Sequence, residues 1–170
     1  MVLERSIENN VAYCLVVSVE AAQFDSLLAL VQSKDYLFAS AGIHPNSESI
    51  GIATERQWLS NTGRGEDVVA IGETGLDYFR SGGDLDWQRD RFRMHVQVAR
   101  ELDKPLIVHT RNAAVDTLRL LQEEGATEVG GVMHCFSGNA DEARRAVDIN
   151  FHLGFGGIVT FKNSTALSVT

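Results

Sequence analysis

The sequence predicts an α/β fold, namely a (β/α)8 barrel of the TIM type that this chain covers only in part. Short apolar runs alternate with helical patterns at regular spacing, without a linker between them. This alternation is typical of a parallel sheet with right-handed crossovers, and a doubly wound sheet fits it as well. Polar residues follow several different runs, which favours the barrel because barrels build their sites at the C-terminal ends of their strands. A complete barrel takes about 250 residues, so we expect one partial barrel domain over residues 1–170, with about six of eight strands and the first and last missing.

The strands are predicted from six runs rich in apolar and β-branched residues, as expected for strands buried on both faces. They cover residues 13–19, 36–41, 68–71, 105–109, 131–134 and 151–155. Without a first and a last strand, the runs at 13–19 and 151–155 each lose a neighbour and become apolar edges. We therefore expect the chain to be marginally stable or to self-associate.

The helices are predicted from apolar residues that recur at helical spacing between the runs. Val2, Leu3 and Ile7 fit the end of a first helix. The later helices are marked by Phe24, Leu27, Leu28 and Val31; by Phe92, Val96, Ala99 and Leu102; by Leu118 and Leu121; and by Ala143, Ala146 and Ile149. Asn139 and Glu142 have the spacing of a capping box in front of the last of these helices.

Composition limits the classes of function. A net charge of −8 argues against a broad basic surface for nucleic acid, although a bound metal could supply local positive charge to such a substrate. No apolar run approaches the ~18 residues of a membrane span, so we expect no membrane partner. Cys14 and Cys135 lie in apolar runs, which predicts buried free thiols and a cytoplasmic location. The sequence indicates no protein partner.

Three neighbouring strands end on residues that commonly bind divalent metals. Glu73 follows the 68–71 run, and His109 and His134 end the next two runs. A charge at the end of a buried strand is costly unless it is paired or coordinates a metal. Neutral imidazole and carboxylate suit zinc, manganese or a similar ion. The sequence therefore predicts that Glu73, His109 and His134 are metal ligands.

Other side chains near these strand ends are candidates for catalysis and substrate binding. His44 follows the 36–41 run and could be a ligand, a substrate contact, a proton donor or a structural histidine. Arg111 suits phosphate recognition beside a metal, and a salt bridge with Asp77 is the alternative. Ser137 could present its hydroxyl to an anion near a helix start. Cys135 is disfavoured as a nucleophile because it adjoins a candidate ligand.

Five segments together resemble the TatD family of metal-dependent deoxyribonucleases, which belongs to the amidohydrolase-like TIM barrels. They are Gly42-Ile-His-Pro45, Ile71-Gly-Glu-Thr-Gly-Leu-Asp-Tyr78, Lys104-Pro-Leu-Ile-Val-His-Thr-Arg111, His134-Cys-Phe-Ser-Gly138 and Gly156-Gly-Ile-Val-Thr-Phe-Lys162. The resemblance implies two divalent ions (Mg, Mn or Zn), ligands at Glu73, His109 and His134, His44 near the substrate, and exonuclease-like hydrolysis of DNA.

Two elements of that family are not found in this sequence: a His-x-His pair on the first barrel strand and a Glu-Thr-Asp motif on the last. We therefore expect this chain alone to bind metal weakly and to have weak or no nuclease activity. Two alternatives remain open. One is hydrolysis of a small ester or amide, as in other barrels of the same group. The other is a non-catalytic remnant or interaction module.

Overall fold

The computed structural model describes residues 2–161. Lys162, which ends the last motif, and the tail at 163–170 lie outside the described residues. Within the described part, six parallel strands form one curled sheet. The strands are β1 (Cys14–Val16), β2 (Leu37–Ala41), β3 (Val68–Asp77), β4 (Leu106–Arg111), β5 (Gly131–Met133) and β6 (Phe151–Leu153). Each strand pairs in parallel with its neighbour in the sequence. All six therefore have their C-terminal ends at the same edge.

Helices connect the strands and cover the outer face of the sheet. They are α1 (Val2–Glu8), α2 (Phe24–Val31), α3 (Ile52–Thr62), α4 (Asp86–Glu101), α5 (Ala114–Glu123) and α6 (Ala140–Asp148), with short 3-10 turns at Ala21–Gln23, Ala126–Glu128 and Gly157–Thr160. This arrangement is a half-barrel and confirms the predicted incomplete TIM-type fold. Sequential parallel strands with helical crossovers are the barrel topology, whereas a doubly wound sheet reverses its strand order.

The first strand is shorter than its apolar run suggests. The run at 13–19 predicts seven residues, but β1 ends at Val16. Beyond it the backbone forms other hydrogen bonds: the Ser18 N–H donates to Ser40 Oγ, and the Ser18 carbonyl accepts the Glu73 N–H at 2.8 Å. The chain after β1 thus leaves the ladder with β2 and reaches β3 instead.

Helix α4 supplies much of the core. Phe92, Val96 and Ala99 recur at helical spacing and are fully buried, as the sequence predicts. They lie in the same apolar cluster as Ile71 and Val108, which belong to the central strands. Burying a large apolar side chain contributes about 1.5–3 kcal/mol, so this interface fixes α4 against the strands that carry the site.

Two glycines bring β3 and β4 unusually close. A Cβ at Gly75 would lie 2.0 Å from the His109 carbonyl oxygen, and one at Gly72 would lie 2.4 Å from the Ile107 carbonyl oxygen. Both glycines also have positive φ angles, 142° at Gly72 and 133° at Gly75, which side chains disfavour. The glycines on either side of Glu73 therefore allow this close approach, and they place Glu73 beside the strand that carries His109.

Two smaller expectations have different outcomes. The capping box forms: the Asn139 side chain accepts from the backbone of Glu142, and the Glu142 carboxylate accepts the Asn139 N–H. The prediction of buried thiols is wrong, because Cys135 is exposed and Cys14 is only half-buried. The reason at Cys135 is that β5 has already ended and φ there is 50°. None of the helices within residues 2–161 has the length and apolarity needed to cross a bilayer.

Candidate metal centre

The Glu73 carboxylate lies at the middle of a cluster of histidines at the C-terminal edge of the sheet. Its Oε1 is 2.9 Å from His134 Nδ1 and 3.5 Å from His109 Nδ1. Burial alone would raise the pKa of Glu73, but its contacts with His109 and His134 outweigh burial and lower the pKa to about 2. The same carboxylate raises the pKa of His134. Glu73 is therefore an ionised carboxylate, the form in which it can bind a cation.

Within the described residues, one set of side chains has the spacing needed to hold a metal ion. It consists of His44, Glu73 and His109, whose ligand atoms all lie within 4.8 Å of one another. The rings of His44 and His109 are 4.5 Å apart between centroids. Burial, followed by the nearby His109, lowers the pKa of His44, so this imidazole is neutral near pH 7. Two imidazoles and an ionised carboxylate suit a borderline divalent ion such as zinc or manganese.

His134 lies beside this set and not in it. It contacts Glu73 from the end of β5, and its side chain is 38% exposed. The structure thus brings together Glu73, His109 and His134 as the strand ends predict, and adds His44 on the opposite flank. The assignment of the individual ligands stays a prediction.

The hydrogen bonding of His44 indicates where its proton resides. His44 Nδ1 accepts the backbone N–H of Asn46 at 3.2 Å. A neutral imidazole has one donor and one acceptor nitrogen, so the proton is on Nε2. In this arrangement Nε2 offers an N–H group and not a lone pair. His44 is thereby better suited to donate to a substrate oxygen than to bind a metal.

Asp77 is a site residue that the sequence reasoning considered only as a salt-bridge partner for Arg111. Its side chain is 2% exposed, and its Oδ2 lies 3.2 Å from His109 Nε2. Burial raises its pKa, but hydrogen bonds from Asn46, the Arg80 backbone and His109 prevail and lower it. The signal that could have revealed Asp77 is its position four residues after Glu73 in the same buried strand, where a second charge also needs a partner.

A row of polar residues on α4 supports the site from outside the sheet, and its role there was not predicted from the sequence. Gln88, Arg91 and His95 are each at most 2% exposed. Their spacings of three and four residues place them on one helical face. Gln88 Oε1 accepts the Asp77 N–H at 2.9 Å. His95 Nε2 accepts the Ile43 N–H at 3.1 Å. The row therefore fixes the backbone at the ends of both β2 and β3.

Arg91 is the member of this row that carries charge. It forms a bidentate pair with Glu55 of α3, at 3.0 and 2.8 Å, with both side chains almost fully buried. Its remaining nitrogen donates to the Ser47 carbonyl at 3.0 Å and the His44 carbonyl at 3.4 Å. The loop that carries His44 is thus held by a buried guanidinium.

Arg111 at the end of β4 and Ser137 after β5 line a common cavity of about 580 Å³. The guanidinium of Arg111 lies over the ring of Phe79, 3.8 Å from its centroid. This position replaces the salt bridge with Asp77 that was the alternative, because Asp77 bonds to His109 and Asn46 instead. Arg111 and Ser137 are both exposed, so the groups that were predicted to contact phosphate are accessible there.

The fold and this cluster define a class of protein: a barrel-type α/β chain with histidines and a carboxylate gathered at the C-terminal ends of its strands, as in metal-dependent barrel enzymes. Comparison with known families identifies the family. The model described as "TatD related DNase" matches residues 1–169, and the chain belongs to this family.

Individual relatives agree with the family assignment. The chain is 38% identical over 163 residues to the uncharacterized metal-dependent hydrolase YabD of Bacillus subtilis, covering 96% of this chain and 64% of that protein. It is 39% identical over 166 residues to the uncharacterized metal-dependent hydrolase YcfH of Escherichia coli, covering 98% and 62%. The crystal structure of the TatD homolog YjjV from Escherichia coli superposes with a TM-score of 0.83 at 30% identity, covering 94% and 62%. The chain thus spans slightly less than two thirds of the length of these relatives.

Proposed function

We propose that residues 1–170 form one partial barrel domain that carries part of the catalytic centre of a metal-dependent hydrolase, and that its substrate is DNA. The observation that carries this proposal is the ionised Glu73 carboxylate shared by histidines from neighbouring strands. The family description supports a DNase, and the names of the relatives support a metal-dependent hydrolase.

The ligand residues that we propose are Glu73, His109 and His134. Glu73 is ionised, and His109 directs Nδ1 toward it. A divalent ion held there would lower the pKa of a coordinated water and offset negative charge on a phosphate. The family resemblance suggests two such ions, of magnesium, manganese or zinc. Such local positive charge would let a chain with a net charge of −8 approach DNA.

The remaining residues act on the substrate. His44, with its proton on Nε2, donates a hydrogen bond to a phosphate oxygen or to the leaving oxygen. Arg111 lies over the ring of Phe79, and its guanidinium has the donors to bind a phosphate through two N–H groups. Ser137 contributes a hydroxyl from the same cavity.

The first test measures metal binding by this chain. Manganese or zinc is titrated into the parent and into Glu73→Gln, His109→Ala and His152→Ala. His152 is an exposed histidine on β6 and serves as the matched control. We expect Glu73→Gln and His109→Ala to weaken binding more than about tenfold, since changes around ligands alone cost about 10–100-fold. Equal affinity in the parent and these two variants would overturn the ligand assignment.

The second test measures hydrolysis with the same proteins. Single-stranded DNA, an ester and an amide are incubated with each protein and added metal. We expect slow, metal-stimulated release of nucleotides by the parent and the His152→Ala control, and none by Glu73→Gln. Hydrolysis of the ester or amide without DNA cleavage would replace DNA with a small-molecule substrate. Metal binding with no hydrolysis at all would support the non-catalytic alternative.

A further inference from the structure

We propose that Asp77 is a positioning residue that sets the tautomer of His109, so that the Nδ1 lone pair of His109 faces Glu73 and is available to a metal. The metal part of this inference rests on the proposed function, whereas the tautomer part does not. The inference follows from the hydrogen bonds that converge on the two carboxylate oxygens of Asp77.

One oxygen of Asp77 is committed to the backbone. Asp77 Oδ1 accepts the N–H groups of Phe79 at 3.0 Å and Arg80 at 2.9 Å. A backbone N–H can only donate, so the atom in this position must be an acceptor. These two bonds hold the carboxylate against the turn that follows β3, and they fix its orientation.

The other oxygen faces His109. Asp77 Oδ2 accepts from Asn46 Nδ2 at 2.8 Å and lies 3.2 Å from His109 Nε2. A carboxylate has no proton to donate, so the bond requires a proton on Nε2 of His109. The contact of His109 Nδ1 with Glu73 is longer, 3.5 Å, which exceeds the usual range for a hydrogen bond. Neutral His109 therefore carries its proton toward Asp77 and its lone pair toward Glu73, and the 2.9 Å hydrogen bond from His134 Nδ1 is then the contact that stabilises the Glu73 carboxylate.

The substitution Asp77→Asn inverts this arrangement. The carbonyl oxygen of an asparagine must take the Oδ1 position, because the two backbone N–H groups need an acceptor there. Its NH₂ group then faces Nε2 of His109 and donates to it. Rotation of the Asn46 amide would present its oxygen to the second N–H of that group. His109 would hold its proton on Nδ1, with an N–H and not a lone pair toward Glu73.

The experiment reads the tautomer directly. Long-range ¹H–¹⁵N correlation spectra of ¹⁵N-histidine-labelled protein distinguish the two neutral tautomers, and the His109→Ala spectrum assigns the signal. We expect the Nε2–H form in the parent and the Nδ1–H form in Asp77→Asn. Asp116→Asn is the matched control, since Asp116 accepts from Tyr78 and Arg119; its spectrum should match that of the parent.

Metal affinity provides the second measurement. We expect Asp77→Asn to bind zinc about 10–100-fold more weakly than the parent and Asp116→Asn to bind it equally. The parent spectrum is decisive by itself if Asp77→Asn does not fold: an Nδ1–H form of His109 would overturn the proposal. An unchanged tautomer in folded Asp77→Asn would overturn it too. A tautomer that changes while neither protein binds metal would support the role of Asp77 and refute the metal centre.

Discussion

His95 is a buried titratable group whose effect on stability can be worked out from the structure. It is fully buried in α4. In its neutral form Nδ1–H donates to the Arg91 carbonyl at 2.9 Å, and Nε2 accepts the Ile43 N–H at 3.1 Å. A second proton on Nε2 would point at that N–H and lose the bond. Burial is the main cause that lowers the pKa of His95, to about 4.

The pKa of His95 has a defined consequence for stability. In the unfolded chain His95 has its ordinary pKa of 6.5, so its pKa differs by about 2.5 between the unfolded and the folded state. Each unit corresponds to 1.36 kcal/mol, which gives about 3 kcal/mol. Because the unfolded state binds the proton more readily, this stability is present above pH 6.5 and is lost as the pH falls to about 4.

The assay compares urea unfolding of the parent and His95→Gln from pH 7.5 to pH 4. Glutamine does not titrate, while all other groups titrate in both proteins. We expect the parent to be the more stable protein at pH 7.5, and we expect the difference in unfolding free energy to change by about 3 kcal/mol in favour of His95→Gln by pH 4. A difference that stays constant with pH would show that His95 does not titrate in this way.

Three further predictions concern stability and assembly. Arg91→Met should lower the free energy of unfolding by about 3–5 kcal/mol, because it leaves Glu55 as a buried charge without its ion-pair partner. Adding Glu55→Leu should recover most of that loss in urea unfolding. Gly75→Ala should destabilise the fold by about 3 kcal/mol or more in the same assay, since its Cβ has no space; Gly82→Ala, with open space around it, should be near neutral. Within the described residues β1 is an edge strand, and Leu15 on it is exposed. Size-exclusion chromatography should therefore show concentration-dependent self-association, which Leu15→Lys should reduce. A monomer at all concentrations would contradict this prediction.

The sequence was sufficient to predict the fold and the convergence of Glu73, His109 and His134, because both depend on local patterns. An apolar run predicts a strand, and polar residues that follow the run lie toward the C-terminal edge of the sheet, although β3 and β4 continue beyond Glu73 and His109. The predictions were less accurate where backbone bonds depend on distant segments. The length of β1 is one example, since Ser18 bonds to Glu73 and Ser40 and not to a continued ladder. The exposure of Cys135 is another, because its apolar neighbours gave no indication that the strand had already ended.

The supporting residues were missed for a related physical reason. Arg91 contacts Glu55 across 36 positions of sequence, and His95 reaches Ile43 across 52. A polar residue on the apolar face of α4 is costly unless a partner meets it, and only the folded chain shows that partner. The spacing of Gln88, Arg91 and His95 is the one trace of this arrangement in the sequence.

The position of these polar residues indicates what they contribute. A buried ion pair such as Arg91–Glu55 adds little net stability compared with apolar residues of similar volume. Arg91 also donates hydrogen bonds to the carbonyls of the loop that carries His44, and His95 accepts the N–H of Ile43 in the same loop. Asp77 restrains His109 on the adjacent strand in the same manner. The loop that carries His44 and the ring of His109, which face each other at the site, are therefore each held by a buried polar group, in addition to the apolar packing that stabilises α4.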